Sequence, residues 1–307
     1  MRIVFFGTPA FAVPSLQALV SGRFDIAGVV TQPDKPQGRS RSELVPPPVK
    51  SAAQSEDIPV LQPERPLGDV FTTSFRRLEP DLGIVVAYGH ILRPEILTVP
   101  PRGMVNVHAS LLPRYRGAAP VQHAILRGET ETGISIMQME PGLDSGPVLH
   151  RVTTEIEPEE TAGALAGRLS HLGATALIEA LSLISGGLER AQPQDHSRAT
   201  YAPKIDREMA RLVWQRDAST LVRQIRAFDP SPGAWTMLNG SVLKLFGARE
   251  VAGTGAPGDV LAAGDRLVIA AARGAIAVHE VQPAGKNRLP VDAWVRGRGI
   301  SVGQRLE

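Results

Sequence analysis

Arg2-Ile-Val-Phe-Phe6 is a short apolar run, closed at once by Gly7-Thr-Pro9 and followed from Ala10 to Leu19 by apolar residues at helical spacing. A run of this kind reads as a strand buried on both faces, and the turn and helix after it make a strand–turn–helix unit. Pro14 is tolerated in that helix only near its first turns. Outward from this unit the alternation repeats. Asp25 to Val30, Leu82 to Ala87, Gly103 to His108 and Gly133 to Gln138 read as strands, and Thr161 to Ile184 as a long helix stopped by Gly186-Gly187. The expectation for residues 1–188 is an open, doubly wound, Rossmann-like α/β sheet. Residues 189–207 are polar and aperiodic and read as a linker. Residues 208–307 hold one amphipathic helix, Ala218 to Ala227. Short β-like pieces follow at 234–238, 242–246, 259–261, 266–270 and 275–281, the spacing of a small all-β barrel or sandwich.

The chain of 307 residues has no cysteine, which excludes a disulfide framework and a thiolate metal site. The opening apolar run is too short for a secretory signal, and no stretch approaches the roughly 20 apolar residues of a membrane span, so a soluble cytoplasmic protein is expected. Charge is uneven: residues 1–200 sum to −3 and residues 201–307 to +5. A basic C-terminal third points to a polyanionic partner. Gln32 to Val49 interrupts the rhythm with five prolines and the cations Lys35, Arg39 and Arg41. A loop this long that follows a strand of an α/β sheet falls at the ligand-binding end.

Gly7-Thr-Pro-Ala-Phe11 occupies the place of a dinucleotide fingerprint but lacks its later glycines, with Pro9 and Ala12 in their stead, so a nicotinamide site is not expected. The chemistry concentrates instead in Asn106-Val-His108. These two residues share one strand face near its C-terminal end, where an amide and an imidazole can together polarise a carbonyl and move a proton. Asp144, between glycines in Met139-Glu-Pro-Gly-Leu-Asp-Ser-Gly146, is the carboxylate placed to orient that imidazole. Taken alone, a strand histidine and a turn aspartate are more often structural. A Ser110 nucleophile lacks the G-x-S-x-G elbow, and His108, His123 and His150 lack zinc-ligand spacing.

Asn106-Val-His108, Ser110-Leu-Leu-Pro-Arg-Tyr-Arg-Gly-Ala-Ala-Pro120 and Leu143-Asp-Ser-Gly146 closely resemble the folate-dependent formyltransferase family. Gly7-Thr-Pro9, Thr31-Gln-Pro-Asp34, Val86-Ala-Tyr-Gly89, Glu131-Thr-Gly133, Ile136-Met-Gln-Met139, Ile225-Arg-Ala-Phe228 and Gln282-Pro-Ala-Gly-Lys286 agree as well. The resemblance implies Asn106, His108 and Asp144 as the catalytic residues and Ser110, Leu111, Leu112 and Pro113 as the folate-binding segment. The loop Asp34–Val45, with Lys35, Arg39 and Arg41, falls on the family's tRNA-contacting loop. That loop is one residue longer here, and its Ser40–Glu43 stretch is less basic. Tyr115 replaces a tryptophan of the pattern. The C-terminal matches favour the members that formylate methionyl initiator tRNA from 10-formyltetrahydrofolate, without a metal and as monomers. They imply an OB-like barrel whose Lys204, Arg207, Arg223, Arg226, Lys244, Lys286 and Arg288 are candidates for phosphate contacts.

In the chemistry so implied, a neutral amine attacks the formyl carbon. Asn106 and protonated His108 meet the charge developing on the formyl oxygen, and Asp144 supports the imidazolium and helps take the amine's proton. Three rivals stand: a formyltransferase for a nucleotide-linked aminosugar, a tRNA-binding protein with an inactive α/β domain, and a folate hydrolase.

Overall fold

The computed structural model describes residues 1–37 and 43–307, which divide into two compact units. The first comprises residues 1–120, 131–155 and 166–202. Its strands are β1 (Arg2–Gly7), β2 (Asp25–Val30), a small hairpin of β3 (Lys35–Gln37) and β4 (Glu43–Val45), β5 (Val60–Leu61), β6 (Leu82–Val86), β7 (Met104–His108), β8 (Glu131–Gln138) and β9 (Val148–Glu155). Apart from the hairpin they form one sheet in the order β5-β2-β1-β6-β7-β8-β9. The first five are parallel and β8 and β9 antiparallel. The chain winds outward from β1 in both directions, so the strand order reverses between β1 and β6. In sheets of this kind ligands bind beyond the C-terminal strand ends near such a switch point.

Burial explains the sheet. Ile3, Val4, Phe5 and Phe6 are fully buried, as are Val29, Val30, Ile84 and Val86. A cluster of Phe6, Phe71, Phe75, Tyr88, Leu92 and Ile96 packs on one face, with the Phe6 ring edge-on to Phe75 and Tyr88 at 5.3 and 5.4 Å. After a single 3₁₀ turn at Ala10–Ala12, the first helix runs Val13–Ser21 and carries Pro14 in its first turn, where no backbone N–H is needed.

The second unit comprises residues 121–130, 156–165 and 203–307. Its strands are β10 (Ala234–Leu238), β11 (Ser241–Val251), β12 (Val260–Ala263), β13 (Leu267–Ala270), β14 (Ala275–Pro283) and β15 (Leu289–Pro290). They make an antiparallel sheet ordered β10-β11-β14-β13-β12, with β15 added to β14. The helix Ala218–Ala227 buries Leu221 and Ile225 against Leu243, Leu245, Ile276 and Val278.

Candidate active site

Three sequence words converge beyond the C-terminal ends of β1, β2 and β6. The Tyr88 carbonyl, just past β6, accepts hydrogen bonds from Thr8 Oγ1 (2.9 Å), just past β1, and from Gln32 Nε2 (3.0 Å), just past β2. Burial pushes the Tyr88 phenol up to about 12, so it stays neutral. The next parallel strand, β7, brings Asn106 and His108. Asn106 pairs with Val85 on one side and Met137 on the other, and His108 with Ser135. Asn106 is half-buried, and among the described residues its amide has no hydrogen-bond partner. It is therefore ready to donate to a bound oxygen.

His108 is 5% exposed. Its Nε2 lies 2.9 Å from the Tyr115 carbonyl oxygen. A carbonyl only accepts, so Nε2 carries the proton, and Nδ1 is the nitrogen free to gain or lose one. Tyr115 holds a left-handed backbone, φ 60°, as the loop returns its carbonyl toward the ring. Nδ1 faces Asp144, whose Oδ2 is 3.7 Å away and also accepts the Gly117 N–H at 2.8 Å. The separation is longer than a hydrogen bond, and the pair attracts as two charges only when Nδ1 also carries a proton. Asp144 itself has φ 47°. Two positions on, Gly146 passes so near β8 that a Cβ there would collide with the Gln138 carbonyl oxygen, which explains the glycine of Leu143-Asp-Ser-Gly146.

The segment Ser110–Pro113 is partly internal. Ser110 is fully buried and donates to the Arg114 carbonyl at 2.6 Å. The Leu112 N–H donates to Ser135 Oγ at 3.1 Å, and that hydroxyl donates to the Ser110 carbonyl at 2.7 Å. Leu112, 2% exposed, packs against Met137 and Val148, while Arg151 donates to its carbonyl. Leu111, Leu112 and Pro113 line a cavity of about 470 Å³ together with Arg114, Arg151 and Arg198. The lining is mixed, with Thr153, Gln192, Gln194 and the carboxylate of Asp195 beside the apolar Leu111, Leu112, Pro113 and Val148.

Several of the other described residues singled out above have partners of their own. His123 is buried, bonded to the Pro203 carbonyl and held below the usual histidine range chiefly by burial; His150 pairs with Glu179 at 2.7 Å. Lys35 is exposed and donates to Gln32 Oε1 at 2.7 Å. Arg39 and Arg41 lie outside the described residues. In the second unit Arg226 donates to the Glu157 and Glu160 carbonyls and Lys244 to that of Pro232, contacts that tie both side chains into the fold. The sequence reading did not single out the partners of the aspartate loop, Arg116 and Gln194. Gln194 lies 50 residues beyond Asp144 in an aperiodic segment, and no local pattern ties the two.

An amide and an imidazole–carboxylate pair at the C-terminal end of a strand in an α/β sheet can polarise a carbonyl and move a proton, which is the chemistry of group transfer. The chain belongs to the formyl transferase family: residues 1–181 match the family's formyl transferase domain and residues 204–299 its C-terminal domain. It is 47% identical over 305 residues to the methionyl-tRNA formyltransferase of Pelobacter propionicus, covering 99% of this chain and 95% of that one. It is 45% identical to the methionyl-tRNA formyltransferase of Moorella thermoacetica, covering 100% and 99%. Among solved structures, an N-formyltransferase from Helicobacter canadensis, in complex with folinic acid and dTDP-3-aminofucose, shares the fold. Its TM-score is 0.71 at 17% identity, over 92% of this chain and 99% of that one.

Proposed function

We propose that this chain transfers the formyl group of 10-formyltetrahydrofolate to the free amine of methionyl initiator tRNA, acting in the cytoplasm as a monomer. The single observation that carries the substrate is full-length similarity at 43–47% identity to proteins named for that activity, spanning both domains. The site fits the reaction. Asn106 donates its amide N–H to the formyl oxygen as the amine attacks. His108, with Nε2–H fixed on Tyr115, presents Nδ1 to the reacting groups, and Asp144 stabilises the imidazolium and assists the amine's proton departure; the bond from the formyl carbon to N10 of the folate then breaks, N10 takes a proton, and tetrahydrofolate leaves. We assign the wall Leu111–Pro113 to the folate and Lys35, Arg39 and Arg41 to the tRNA.

The test is a transfer assay with 10-formyltetrahydrofolate and methionyl initiator tRNA, with methionyl elongator tRNA and free methionine as controls. Formylation of the initiator alone is expected. Formylation of a nucleotide-linked aminosugar and of no tRNA would replace this reading. Asn106→Ala, His108→Ala and Asp144→Ala should each lower turnover about 100-fold or more while leaving the fold intact, the scale of losing an oxyanion donor or proton carrier. Near-normal turnover in a folded variant removes that residue from the chemistry.

A further inference from the structure

Asp144 holds an unfavourable backbone: a non-glycine residue at φ 47° costs on the order of 1 kcal/mol and persists only where its surroundings fix it. What fixes it comes from far along the chain. Residues 192–202 run back over the catalytic loop as a strap. Gln192 exchanges two backbone hydrogen bonds with Val148, and Ala202 N–H donates to the Arg116 carbonyl while Arg116 N–H donates to the Thr200 carbonyl. From this strap the Gln194 side chain, 8% exposed, enters the interior. Its Nε2 donates to the Asp144 carbonyl at 2.9 Å and the Gly146 carbonyl at 2.7 Å, gripping the loop on both sides of Ser145. Its Oε1 accepts from Arg116 Nε (3.1 Å) and Nη2 (2.6 Å).

Arg116 is 4% exposed, and among the described residues its side-chain partners are Gln194 and, at 3.2 Å, His196 Nδ1. Neither is an anion. A buried guanidinium without a carboxylate is costly to keep, and in a low-dielectric interior it polarises the amide it touches. Positive charge drawn toward Oε1 strengthens both N–H donors on Nε2. The cation thus acts through Gln194 on the backbone that aims the Asp144 carboxylate. The Gly117 N–H, next in sequence to Arg116, fixes that carboxylate directly.

We propose that Gln194, polarised by the buried Arg116, is a positioning residue that sets Asp144 against His108, and that the strap 192–202 is part of the catalytic apparatus. The proposal rests on the role given above to Asp144. Gln194→Glu keeps an acceptor for Arg116 but puts a carboxylate oxygen against two carbonyls. Gln194→Ala removes both contacts, so the Glu variant decides if the Ala variant fails to fold. In Gln194→Glu, kcat for formyl transfer should fall about 10- to 100-fold, the scale of a misplaced reacting group, with KM for tRNA changed less than about two-fold. In an Asp144→Asn background the same substitution should change kcat by less than about two-fold, because the group it acts through is already disabled. An undiminished loss in that background, or wild-type kcat in folded Gln194→Glu, overturns the proposal. Amide hydrogen exchange over residues 142–146 gives a readout that needs no substrate. It should quicken in Gln194→Glu, and unchanged protection would count against the brace. Should the wild-type protein formylate no tRNA, the exchange result still decides the role of Gln194 while the substrate reading falls alone.

Discussion

Arg288 lies 4.1 Å from the centre of the Phe246 ring and reaches two carboxylates, Asp229 at 2.8 Å and Glu280. The Asp229 side chain is only 8% exposed, whereas that of Arg288 is 33% exposed. Such a pair is worth more than a surface bridge and less than a fully buried one. Removing the cation also strands a buried carboxylate. Arg288→Ala should therefore destabilise the second unit by about 2 kcal/mol. Thermal unfolding checks this: Arg288→Ala should lower Tm by several degrees, and exposed Lys286→Ala by almost none. Equal shifts would contradict the assignment. From the sequence alone both residues were equal candidates for phosphate contacts, because charge is legible in a sequence and its neutralisation by a residue 59 positions away is not. The same asymmetry holds at the proposed active site. Asn106 and His108 were legible because a strand's two-residue period places them on one face. Asp144 was legible through the family motif, but Gln194 and Arg116 were not, since their contacts depend on the return path of the strap.

At the scale of elements, β1, β2, β6, β7 and β8 were readable because strands buried on both faces are unbroken apolar runs. β9 escaped, as an outer strand whose sequence Val-Leu-His-Arg-Val-Thr-Thr-Glu mixes buried and exposed residues. So did β5, only two residues long, and the hairpin β3–β4 inside the segment read as irregular. That hairpin has a definite anchor. Asp34, one residue before β3, receives Lys50 Nζ at 2.7 Å and Gln62 Nε2 at 2.7 Å; Gln62 also donates to the Gln32 carbonyl. The Gln62 hydrogen bond, then that of Lys50, holds the Asp34 carboxyl below its ordinary value of 3.8. A carboxyl depressed in the folded state contributes stability that is fully present above its unfolded pKa and is lost as pH falls through the folded one. The Tm difference between wild type and Lys50→Met should accordingly be constant from about pH 5 to 8, where Asp34 is ionised in both states, and shrink only below 3.8. A difference that already shrinks between pH 7 and 5 would assign the effect to another group.

Across the whole molecule the charge asymmetry, −3 over residues 1–200 and +5 beyond, bears on the tRNA reading more than on the folate one. Not every cation counts toward it, since Arg226 and Lys244 are held by backbone carbonyls and Arg288 by carboxylates. Lys35, Lys204, Arg207 and Lys286 are exposed and carry no ion pair among the described residues, and Arg207 lies over the Trp235 ring at 5.2 Å. If these four each neutralise one phosphate of the tRNA, counterion release sets the logarithmic slope of affinity against salt at about −3. Raising salt from about 50 to 200 mM should then weaken tRNA binding about 60-fold, while the KM for folate, which lacks a condensed counterion layer, stays nearly flat. Each single Lys→Ala or Arg→Ala change among the four should reduce the slope by about one phosphate's share, and Arg226→Ala should leave the slope unchanged. Filter binding of methionyl initiator tRNA across the salt series measures both quantities. A slope near zero would mean that the basic surface serves solubility and that recognition rests on contacts other than phosphate.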